Sequence, residues 1–211
     1  MFKIGLKYKT DKITHHGYHR FYDYFLIPYK HKHFNFFEIG INTGRSLRTW
    51  NEFFTNAKIY GMDIDHEYDH DRGKIFKGDQ SKKTHLAKIV KAIKTSEFII
   101  DDGSHVPEHQ LLTFNYFFKN LLEFGGVYII EDIECSYWKP TEDIYGYKTG
   151  YLNIIDYFTK YQHELNSEFH SGENTLDISS ITYGQNCIII TKQTEEEKSF
   201  YNREYRFGWK L

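Results

Sequence analysis

The sequence predicts a three-layer α/β sandwich around a mostly parallel, seven-stranded sheet that ends in an antiparallel hairpin. Five short apolar runs alternate with helical segments between residues 34 and 131, a pattern typical of parallel strands joined by crossover helices. Two further apolar runs, 176–183 and 186–192, flank Gly184-Gln185 and predict the hairpin. We expect residues 1–211 to form one domain, because a chain of this length can bury a sizeable core.

The composition is that of a globular protein and argues against several classes of partner. Hydrophobic residues make up 40% of the chain and the net charge is −2, so nucleic acid is not an expected partner. No apolar run reaches membrane-spanning length and no signal peptide is evident, so we expect no membrane insertion. Cys135 and Cys187 are expected to be free thiols in the cytoplasm. A homo-oligomer is compatible with these features.

Residues 1–33 are basic, aromatic and rich in histidine, and we interpret them as an N-terminal cap. Apolar residues at helical spacing predict a helix within 18–29 that ends near Pro28. Two interpretations of this segment remain open. Either its aromatic residues only pack on the core, or its polar residues also reach the functional site.

The first predicted strand, 34–40, continues into a glycine turn and a helix that begins near Ser46. Gly40 and Gly44 lie in this turn, where glycine lets the backbone approach a ligand and the helix N-terminus offers free N–H groups. Asn42 stands where a third glycine often occurs. We interpret the strand, turn and helix as a cofactor-binding unit.

Polar residues follow the next two strands. The second strand, 58–63, ends in Asp63 about twenty residues beyond the glycine turn, where a carboxylate can accept both hydroxyls of a ribose. A short third strand, 74–77, precedes Asp79 and Gln80, which are placed to read an adenine edge. Ser81 is the predicted N-cap of a helix over 82–94.

Residues 66–70 match the HExxH pattern of zinc proteases. That motif requires a long helix with both histidines on one face. Here the stretch directly follows a strand end and has almost no apolar face. We therefore interpret it as a charged connecting loop.

The fourth and fifth predicted strands, 97–101 and 127–131, both end in acid pairs. Asp101 and Asp102 follow the fourth strand, and Glu131 and Asp132 follow the fifth. Parallel strands present their carboxyl ends at one edge of a sheet, so these acids should lie together. Their mutual repulsion predicts a bound cation, and oxygen ligands favour Mg²⁺ or Mn²⁺.

The segment after Asp102 carries two histidines. His105 and His109 are four residues apart, which would suit a zinc pair, but the acids and the lack of a thiolate favour a hard cation. We expect His109 on the surface of a helix that begins at Pro107 and is stopped by Gly125-Gly126. Residues 134–150 are interpreted as a loop over the site and 151–165 as a helix, while the tail 194–211 receives no function.

These motifs, in this order, resemble those of the class I S-adenosylmethionine-dependent methyltransferases. Within that class they are similar to the metal-dependent sugar O-methyltransferases of macrolide biosynthesis, of the mycinamicin and demethylmacrocin type. The resemblance covers residues 8–138 and implies a Rossmann-like fold. An additional N-terminal domain, present in some members, is not expected here. The motifs are Thr10-Asp11-Lys12, Glu38-Ile39-Gly40, Ser46-Leu47-x-x-Trp50, Ile59-Tyr60-Gly61-Met62-Asp63, Gly78-Asp79-Gln80, Ile100-Asp101-Asp102-Gly103-Ser104-His105 and Ile130-Glu131-Asp132.

The resemblance also implies roles for individual residues. Asp102, Glu131 and Asp132 would bind Mg²⁺ (or Mn²⁺), and His105 would be the general base, with Asp102 sharing in catalysis. A cation can stabilise the alkoxide of a weakly acidic sugar hydroxyl while a histidine takes its proton. The residues implied to hold S-adenosylmethionine are Thr10, Lys12, Glu38, Gly40, Asn42, Gly44, Ser46, Asp63, Asp79, Gln80 and Asp101, the last near its amino acid end.

Three rival functions remain open. A nicotinamide-dependent oxidoreductase would use the glycine turn and Asp63 but leaves the metal-type acids unexplained. A non-catalytic cofactor-binding module would not need those acids together with His105. A catechol-type O-methyltransferase would share cofactor and metal but take a small aromatic acceptor. We expect a small-molecule or glycan acceptor, in bacterial surface or capsular polysaccharide biosynthesis or in natural-product biosynthesis. The Lys-, Ile- and Tyr-heavy composition favours the polysaccharide.

Overall fold

The computed structural model describes residues 1–139, 141, 143–144, 146–148, 150–166 and 175–201. The predicted loop 134–150 and the tail 194–211 therefore lie only partly within the described residues. The strands are β1 Asn35–Ile39, β2 Lys58–Asp63, β3 Tyr68–His70, β4 Gly73–Lys77, β5 Ser96–Asp101, β6 Leu122–Glu131, β7 Asp143–Ile144, β8 Tyr147–Lys148, β9 Ile178–Gly184 and β10 Cys187–Lys192. The α-helices are α1 Phe2–Tyr8, α2 Asp11–Thr14, α3 His19–Leu26, α4 Arg45–Phe53, α5 Lys83–Ile93, α6 Pro107–Asn120, α7 Ile154–Thr159, α8 Tyr161–Glu164 and α9 Glu195–Tyr201, and 3₁₀ turns span Ile27–Tyr29 and Ile133–Tyr137.

Eight strands form one sheet in the order β3-β4-β2-β1-β5-β6-β10-β9. In this order, the five neighbouring strands β4, β2, β1, β5 and β6 run parallel to one another. Strand β10 pairs antiparallel with both β6 and β9. The predicted Rossmann-like sandwich with a mostly parallel sheet and a final hairpin is confirmed. Strands β7 and β8 form a separate two-stranded ribbon.

The eighth strand, β3, has no counterpart in the sequence prediction. It lies within the segment interpreted as a charged loop and pairs antiparallel with β4 at the edge of the sheet. None of its three residues is buried, so the sequence shows no alternation of apolar and polar residues that would indicate a strand. The Nε2 atom of His70 lies 3.0 Å from the carbonyl oxygen of Ile59. The long helix that a zinc-protease motif requires does not form.

Three boundaries differ from those expected. Helix α6 ends at Asn120, and Gly125 and Gly126 lie inside β6, where Gly125 has a φ of +74° and the pairing with β5 is irregular. The glycines therefore shape the strand and do not end the helix. Helix α5 begins at Lys83, so Ser81 is not its N-cap. The predicted helix 151–165 is divided into α7 and α8.

The apolar core lies on both faces of the sheet, which gives the three layers. Alternate residues of the central strands point to opposite faces, as period-2 strand geometry requires. Phe37 and Ile99 pack with α5 and α6 on one face. Phe36 and Phe98 pack with α3 and α4 on the other. The apolar runs therefore place the central strands between two helical layers.

Two smaller observations complete the fold. Cys135 and Cys187 are buried free thiols, as expected. Across the residues that the structure describes, none of the helices is both long enough and apolar enough to cross a membrane.

Candidate active site

The carboxyl ends of four neighbouring strands form one edge of the sheet, and several of the predicted site residues lie at these ends. Gly40 follows β1, Asp63 ends β2, Asp101 ends β5 and Glu131 ends β6. Because β2, β1, β5 and β6 are adjacent and parallel, residues distant in sequence meet there. This edge is the usual ligand-binding position of open α/β sheets.

Lys12 lies at the centre of this edge. Its side chain is 1% exposed, and its Nζ atom lies 2.5 Å from Asp102 Oδ2, 2.7 Å from Glu131 Oε2 and 3.3 Å from Glu38 Oε1. Three carboxylates from three adjacent strands thus share one ammonium group. The N-terminal segment does reach the site through polar residues, which decides between the two interpretations of residues 1–33.

The charges in this cluster do not balance, since three acids contact one ammonium. Burial raises the pKa of Glu131 well above its ordinary value, although Lys12 opposes this shift. Burial likewise raises the pKa values of Glu38 and Asp102. Burial alone would lower the pKa of Lys12, but the charges of Asp102, Glu131 and Glu38 outweigh it and raise that pKa well above its usual range. Lys12 therefore remains protonated, and the acids retain an affinity for further positive charge.

Asp132 is held by a second set of contacts. Its Oδ1 atom accepts hydrogen bonds from the Tyr18 hydroxyl at 2.6 Å and from Asn186 Nδ2 at 3.0 Å, and His16 Nε2 lies 3.5 Å away. Its Oδ2 atom lies 3.7 Å from His105 Nε2. Asp132 has a φ of +53°, which lies in the left-handed region that non-glycine residues adopt infrequently. Its carboxylate lies between the Tyr18 hydroxyl and the His105 ring.

Asp102, His105 and Asp132 form a group that could hold a metal ion. One ligand atom from each lies within 4.8 Å of the others. All three side chains are partly exposed, at 20%, 13% and 15%, so a cation could reach them from solvent. The predicted ligand Glu131 lies beside this group but is directed to Lys12.

Asp101 is fully buried and belongs to a separate network. Its carboxylate accepts hydrogen bonds from Gln80 Nε2 at 3.1 Å, from Thr113 Oγ1 at 2.5 Å and from the Tyr128 hydroxyl at 3.3 Å. Burial raises the pKa of Asp101 to about 6, against the effect of the Thr113 and Gln80 bonds. The carbonyl oxygen of Gln80 accepts from the backbone N–H of Ser104 at 2.6 Å. Gln80 therefore joins the loop after β4 to the loop that carries Asp102 and His105.

The Asp63 carboxylate fixes the glycine turn. Its Oδ2 atom accepts from the backbone N–H groups of Ile41 and Asn42, and its Oδ1 atom accepts from those of Asp65 and His66. Burial alone would raise the pKa of Asp63, but these four N–H donors outweigh it and hold the pKa below its ordinary value. Asp63 lies at the end of β2, as the sequence predicts, and its hydrogen bonds also stabilise the glycine turn.

The remaining residues implied to bind cofactor line the same edge or support it. Ser46 Oγ donates to Glu38 Oε2 at 2.8 Å, and Gly44 occupies the N-cap position of α4 with a φ of +71°. The Asp79 carboxylate accepts from the Ser81 backbone N–H at 2.8 Å. Thr10 is 1% exposed and occupies the N-cap position of α2.

His109 is half-buried, contrary to the expectation of a surface position. Its Nδ1 atom lies 2.9 Å from Ser104 Oγ, and burial lowers its pKa. The side chain points back over the first turn of α6 toward the loop after β5. A spacing of four residues from His105 cannot distinguish this inward position from an outward one.

The segment after Asp132 is anchored beside the site. Ile144 of β7 packs with Val106 and Cys135 in a small buried cluster. Val106 directly follows His105, and Cys135 lies in the 3₁₀ turn that directly follows Asp132. The described part of 134–150 therefore lies against the residues that flank the candidate metal group.

Several residues that contact the site acids have no counterpart in the sequence prediction, among them Tyr18, Asn186 and Thr113. Tyr18 and Asn186 hold Asp132, and Thr113 holds Asp101. Tyr18 belongs to the N-terminal segment 1–33, for which the sequence left open whether polar residues reach the functional site. Asn186 follows a hairpin glycine, and Thr113 lies on the inner face of α6, so their neighbours in sequence do not indicate a site.

Comparisons with known proteins agree with this geometry. The chain is 30% identical over 151 residues to a rhamnosyl tetracenomycin-C 2′-O-methyltransferase from Streptomyces olivaceus, covering 67% of this chain and 40% of the relative. It is 32% identical over 146 residues to mycinamicin VI 2″-O-methyltransferase from Micromonospora griseorubida, covering 64% and 36%. The crystal structure of the mycinamicin pathway methyltransferase MycE in complex with Mg, SAH and the macrolide superposes with a TM-score of 0.79 at 25% identity, covering 93% of this chain and 54% of that one.

The predicted resemblance to class I sugar O-methyltransferases is confirmed. The methyltransferase fold extends over nearly the whole chain. The chain nevertheless spans only about 40% of the length of the curated relatives that it matches. No protein-family model matches the sequence.

Proposed function

We propose that this protein is an S-adenosylmethionine-dependent O-methyltransferase that requires a divalent cation and acts on a hydroxyl of a sugar or glycoconjugate. The observation that carries the proposal is the group of Asp102, His105 and Asp132, whose ligand atoms lie within 4.8 Å of one another. It stands beside the glycine turn of a methyltransferase fold. The sequence relatives are named as O-methyltransferases of a rhamnosyl tetracenomycin-C and of mycinamicin VI.

The donor set fits a hard divalent cation. Carboxylates suit Mg²⁺ and Mn²⁺, and a single imidazole without thiolates disfavours a structural zinc site. Asp102 and Asp132 would hold the cation, and Glu131 stays a predicted ligand that would have to turn away from Lys12. When bound, the cation would lower the free energy of an acceptor alkoxide.

His105 is the proposed general base. Its Nε2 atom lies 3.7 Å from Asp132 Oδ2, so the Asp132 carboxylate is placed to orient the imidazole ring of a general base. His105 lies in the loop after β5 with a φ of +57°, and its side chain is 13% exposed. A histidine held there can remove the proton of a hydroxyl that approaches Asp102 and Asp132.

The glycine turn is the proposed holder of S-adenosylmethionine, which would supply the methyl group. Gly40 and Gly44 adopt positive φ values of +85° and +71°, and their lack of side chains leaves the backbone accessible. On the same side of the sheet edge, Asp63 at the end of β2 and Asp79 after β4 supply carboxylates. Asp63 already accepts four backbone N–H bonds, so hydroxyls of a ribose would share its lone pairs.

The acceptor is proposed to bind against the aromatic residues around the anchored segment. Tyr137, Trp138 and Tyr151 are 72%, 42% and 90% exposed, although buried contacts hold the segment in place. In this proposal the exposed rings form the surface against which the acceptor packs, because their flat faces suit a pyranose ring. We propose that the acceptor sugar belongs to a bacterial surface or capsular polysaccharide and that the transfer takes place in the cytoplasm. The acceptors of the named relatives differ from this one, since they are tetracenomycin-C and mycinamicin derivatives.

Two measurements test the proposed function. Calorimetry should detect binding of S-adenosylhomocysteine, and mass spectrometry should detect a gain of one methylene on a sugar acceptor only when Mg²⁺ or Mn²⁺ is present. Binding without transfer to any sugar or catechol would favour a non-catalytic module. Transfer to catechols alone would favour the catechol-type enzyme, and binding of NADH in place of the homocysteine ligand would refute the proposal.

A further inference from the structure

Helix α5 and its flanks concentrate positive charge. Residues 80–96 contain five lysines and neither Asp nor Glu. The whole chain has a net charge of −2 with neutral histidines, so these five charges leave −7 for the remainder. A protein that is acidic elsewhere therefore presents one basic segment.

The lysines of α5 occupy the side of the helix that faces away from the core. Leu86, Ile89 and Ile93 are buried, and four exposed lysines follow the opposite side at spacings of three to five residues. We call these four the basic face: Lys83, Lys88, Lys91 and Lys94. At 1.5 Å per residue the basic face is about 16 Å long.

The protein itself does not neutralise the basic face. In the described part of the chain, none of its four lysines forms an ion pair with a carboxylate, whereas Lys7, Lys74 and Lys148 do. Lysines three residues apart on a helix repel one another. Lys83 also stands in the first turn of α5, where the helix dipole disfavours positive charge. The face therefore carries a repulsion that a bound anion would relieve.

Positive charge continues from α5 to the end of α6. A cavity of about 370 Å³ at this end is lined in part by Lys94, Lys119 and Lys192. Glu123 and Asp177 line it as well. Three lysines against two acids leave this wall with a positive charge, so the basic face ends beside a concave surface of the same sign.

The chemistry of the basic face indicates the class of anion that it fits. Helix α5 contains no arginine, which nucleic-acid sites use for bidentate contacts to phosphates and bases. Among the described residues, the exposed large apolar side chains all lie outside α5. The face therefore lacks rings that stack on bases and an apolar anchor for a membrane. A row of hydrated ammonium groups instead suits a flexible, hydrophilic polyanion.

We propose that the basic face of α5 docks an acidic glycan, whose carboxylate groups lie along the helix. The choice of a glycan rests on the proposed function. Lys83 follows Gln80 by three residues, and Gln80 contacts Asp101 at the sheet edge. One end of a docked chain therefore lies beside the candidate active site, which raises the local concentration of acceptor sugars there.

The test uses oligogalacturonate as the probe, a chain of uronic acids, and its methyl ester of equal length as the uncharged control. Calorimetry at low ionic strength should detect binding of the acid and not of the ester. Raising the ionic strength from about 0.01 M to about 1 M shortens the screening length from about 30 Å to about 3 Å. Binding of the acid should then be lost.

Two variants locate the binding on α5. In the first, all four lysines of the basic face are replaced by glutamine, which has a similar helix propensity without the charge. It should bind oligogalacturonate at least about tenfold more weakly, since four charge contacts are lost. The second has the same change of charge outside α5 and should bind like the wild type. It carries four replacements at exposed positions: Lys3→Gln, Lys9→Gln, Lys32→Gln and Lys58→Gln.

Equal affinities of the wild type and the α5 variant would overturn the inference. An equal loss in the second variant would overturn it too, because net charge alone would then explain the binding. Tighter binding of a DNA duplex or of phosphatidylglycerol vesicles than of oligogalacturonate would overturn it in favour of a nucleic acid or a membrane.

Binding of S-adenosylhomocysteine separates this inference from the proposed function, and it should be the same in the wild type and the α5 variant. A wild type that binds S-adenosylhomocysteine and methylates a neutral sugar, but does not bind oligogalacturonate, refutes the docking surface alone. A wild type that binds oligogalacturonate but not S-adenosylhomocysteine refutes the proposed function and leaves the docking surface in place.

Discussion

Gly40 and Asp102 approach each other so closely that any side chain at position 40 would overlap the backbone carbonyl oxygen of Asp102. Gly40 also has a φ of +85°. The end of β1 and the loop after β5 are thereby in direct backbone contact. The cofactor side and the metal side of the edge meet at this point.

Gly40→Ala should therefore destabilise the protein by about 2–5 kcal/mol, from left-handed strain and overpacking together. Gly146 is the matched control, because it has the same φ of +85° with no atom within 4 Å of an added Cβ. Gly146→Ala should cost only the strain, about 1–2 kcal/mol. Urea unfolding would measure both variants, and equal losses would show that the Asp102 contact is unimportant.

Asp63→Asn should destabilise the fold at neutral pH by about 1.5–3 kcal/mol, the usual range for hydrogen bonds to a charged group. An amide offers one acceptor oxygen where the carboxylate serves four N–H donors. The pKa of Asp63 is lowered in the folded state, so the stability that it contributes is present above the unfolded pKa and is lost as the pH falls through the folded one.

The difference in unfolding free energy between wild type and Asp63→Asn should consequently be full at pH 7 and shrink below about pH 4. Urea titrations of both proteins across this range would measure it. If the two proteins instead have nearly the same unfolding free energy at pH 7, and Asp63→Asn loses only the binding of S-adenosylhomocysteine, then Asp63 serves the ligand and does not stabilise the turn.

Gln80→Leu should destabilise the protein by about 1–3 kcal/mol, because the Asp101 carboxylate and the Ser104 N–H would each lose a buried partner. If Gln80 only reads an adenine, the same variant would keep its unfolding free energy and lose cofactor affinity. Urea unfolding and calorimetry with S-adenosylhomocysteine separate these outcomes. Gln162→Leu, at an exposed position, is the control.

His105→Gln should lower the rate of methyl transfer by about 10²–10⁴-fold, the range for loss of a general base. Affinity for S-adenosylhomocysteine should change little, because His105 stands on the metal side. His66→Gln alters the exposed first histidine of the HExxH pattern and should leave the rate unchanged. Single-turnover kinetics would measure both, and a comparable loss in His66→Gln would revive a role for that motif.

Trp138→Ala should raise KM for the sugar acceptor by about two- to tenfold while leaving the affinity for S-adenosylhomocysteine unchanged, since stacking on an aromatic ring is worth about 0.5–1.5 kcal/mol. Tyr24→Ala, at an exposed tyrosine of α3, controls for a general loss of surface aromatic area. Steady-state kinetics on an acceptor found by mass spectrometry would measure the effect. An unchanged KM would place the acceptor on another surface.

The sequence predicts which residues lie at the sheet edge but not which side chains contact each other. Asp101, Asp102, Glu131 and Asp132 each follow a buried apolar strand, and parallel pairing brings such ends together. The partner of Glu131, however, is Lys12, more than a hundred residues earlier. No local pattern encodes such a contact, because it depends on how the N-terminal segment packs across the finished sheet.

Short polar elements were the other limit of prediction. Strand β3 consists of Tyr68, Asp69 and His70 at an exposed edge, so it has no buried face for a period-2 pattern to reveal. Gly125 and Gly126 illustrate the converse. A glycine pair after a helix is typical of a C-cap, but here the chain had already left α6 at Asn120 and entered β6.

The contact between Asn186 and Asp132 ties the metal-side acid to the last hairpin of the sheet. A ribosome delivers Asp132 more than fifty residues before it delivers Asn186, so a nascent chain carries the acids long before it can orient them. Because β10 pairs with β6, Asn186 can hold Asp132 only once this last hairpin has joined the sheet.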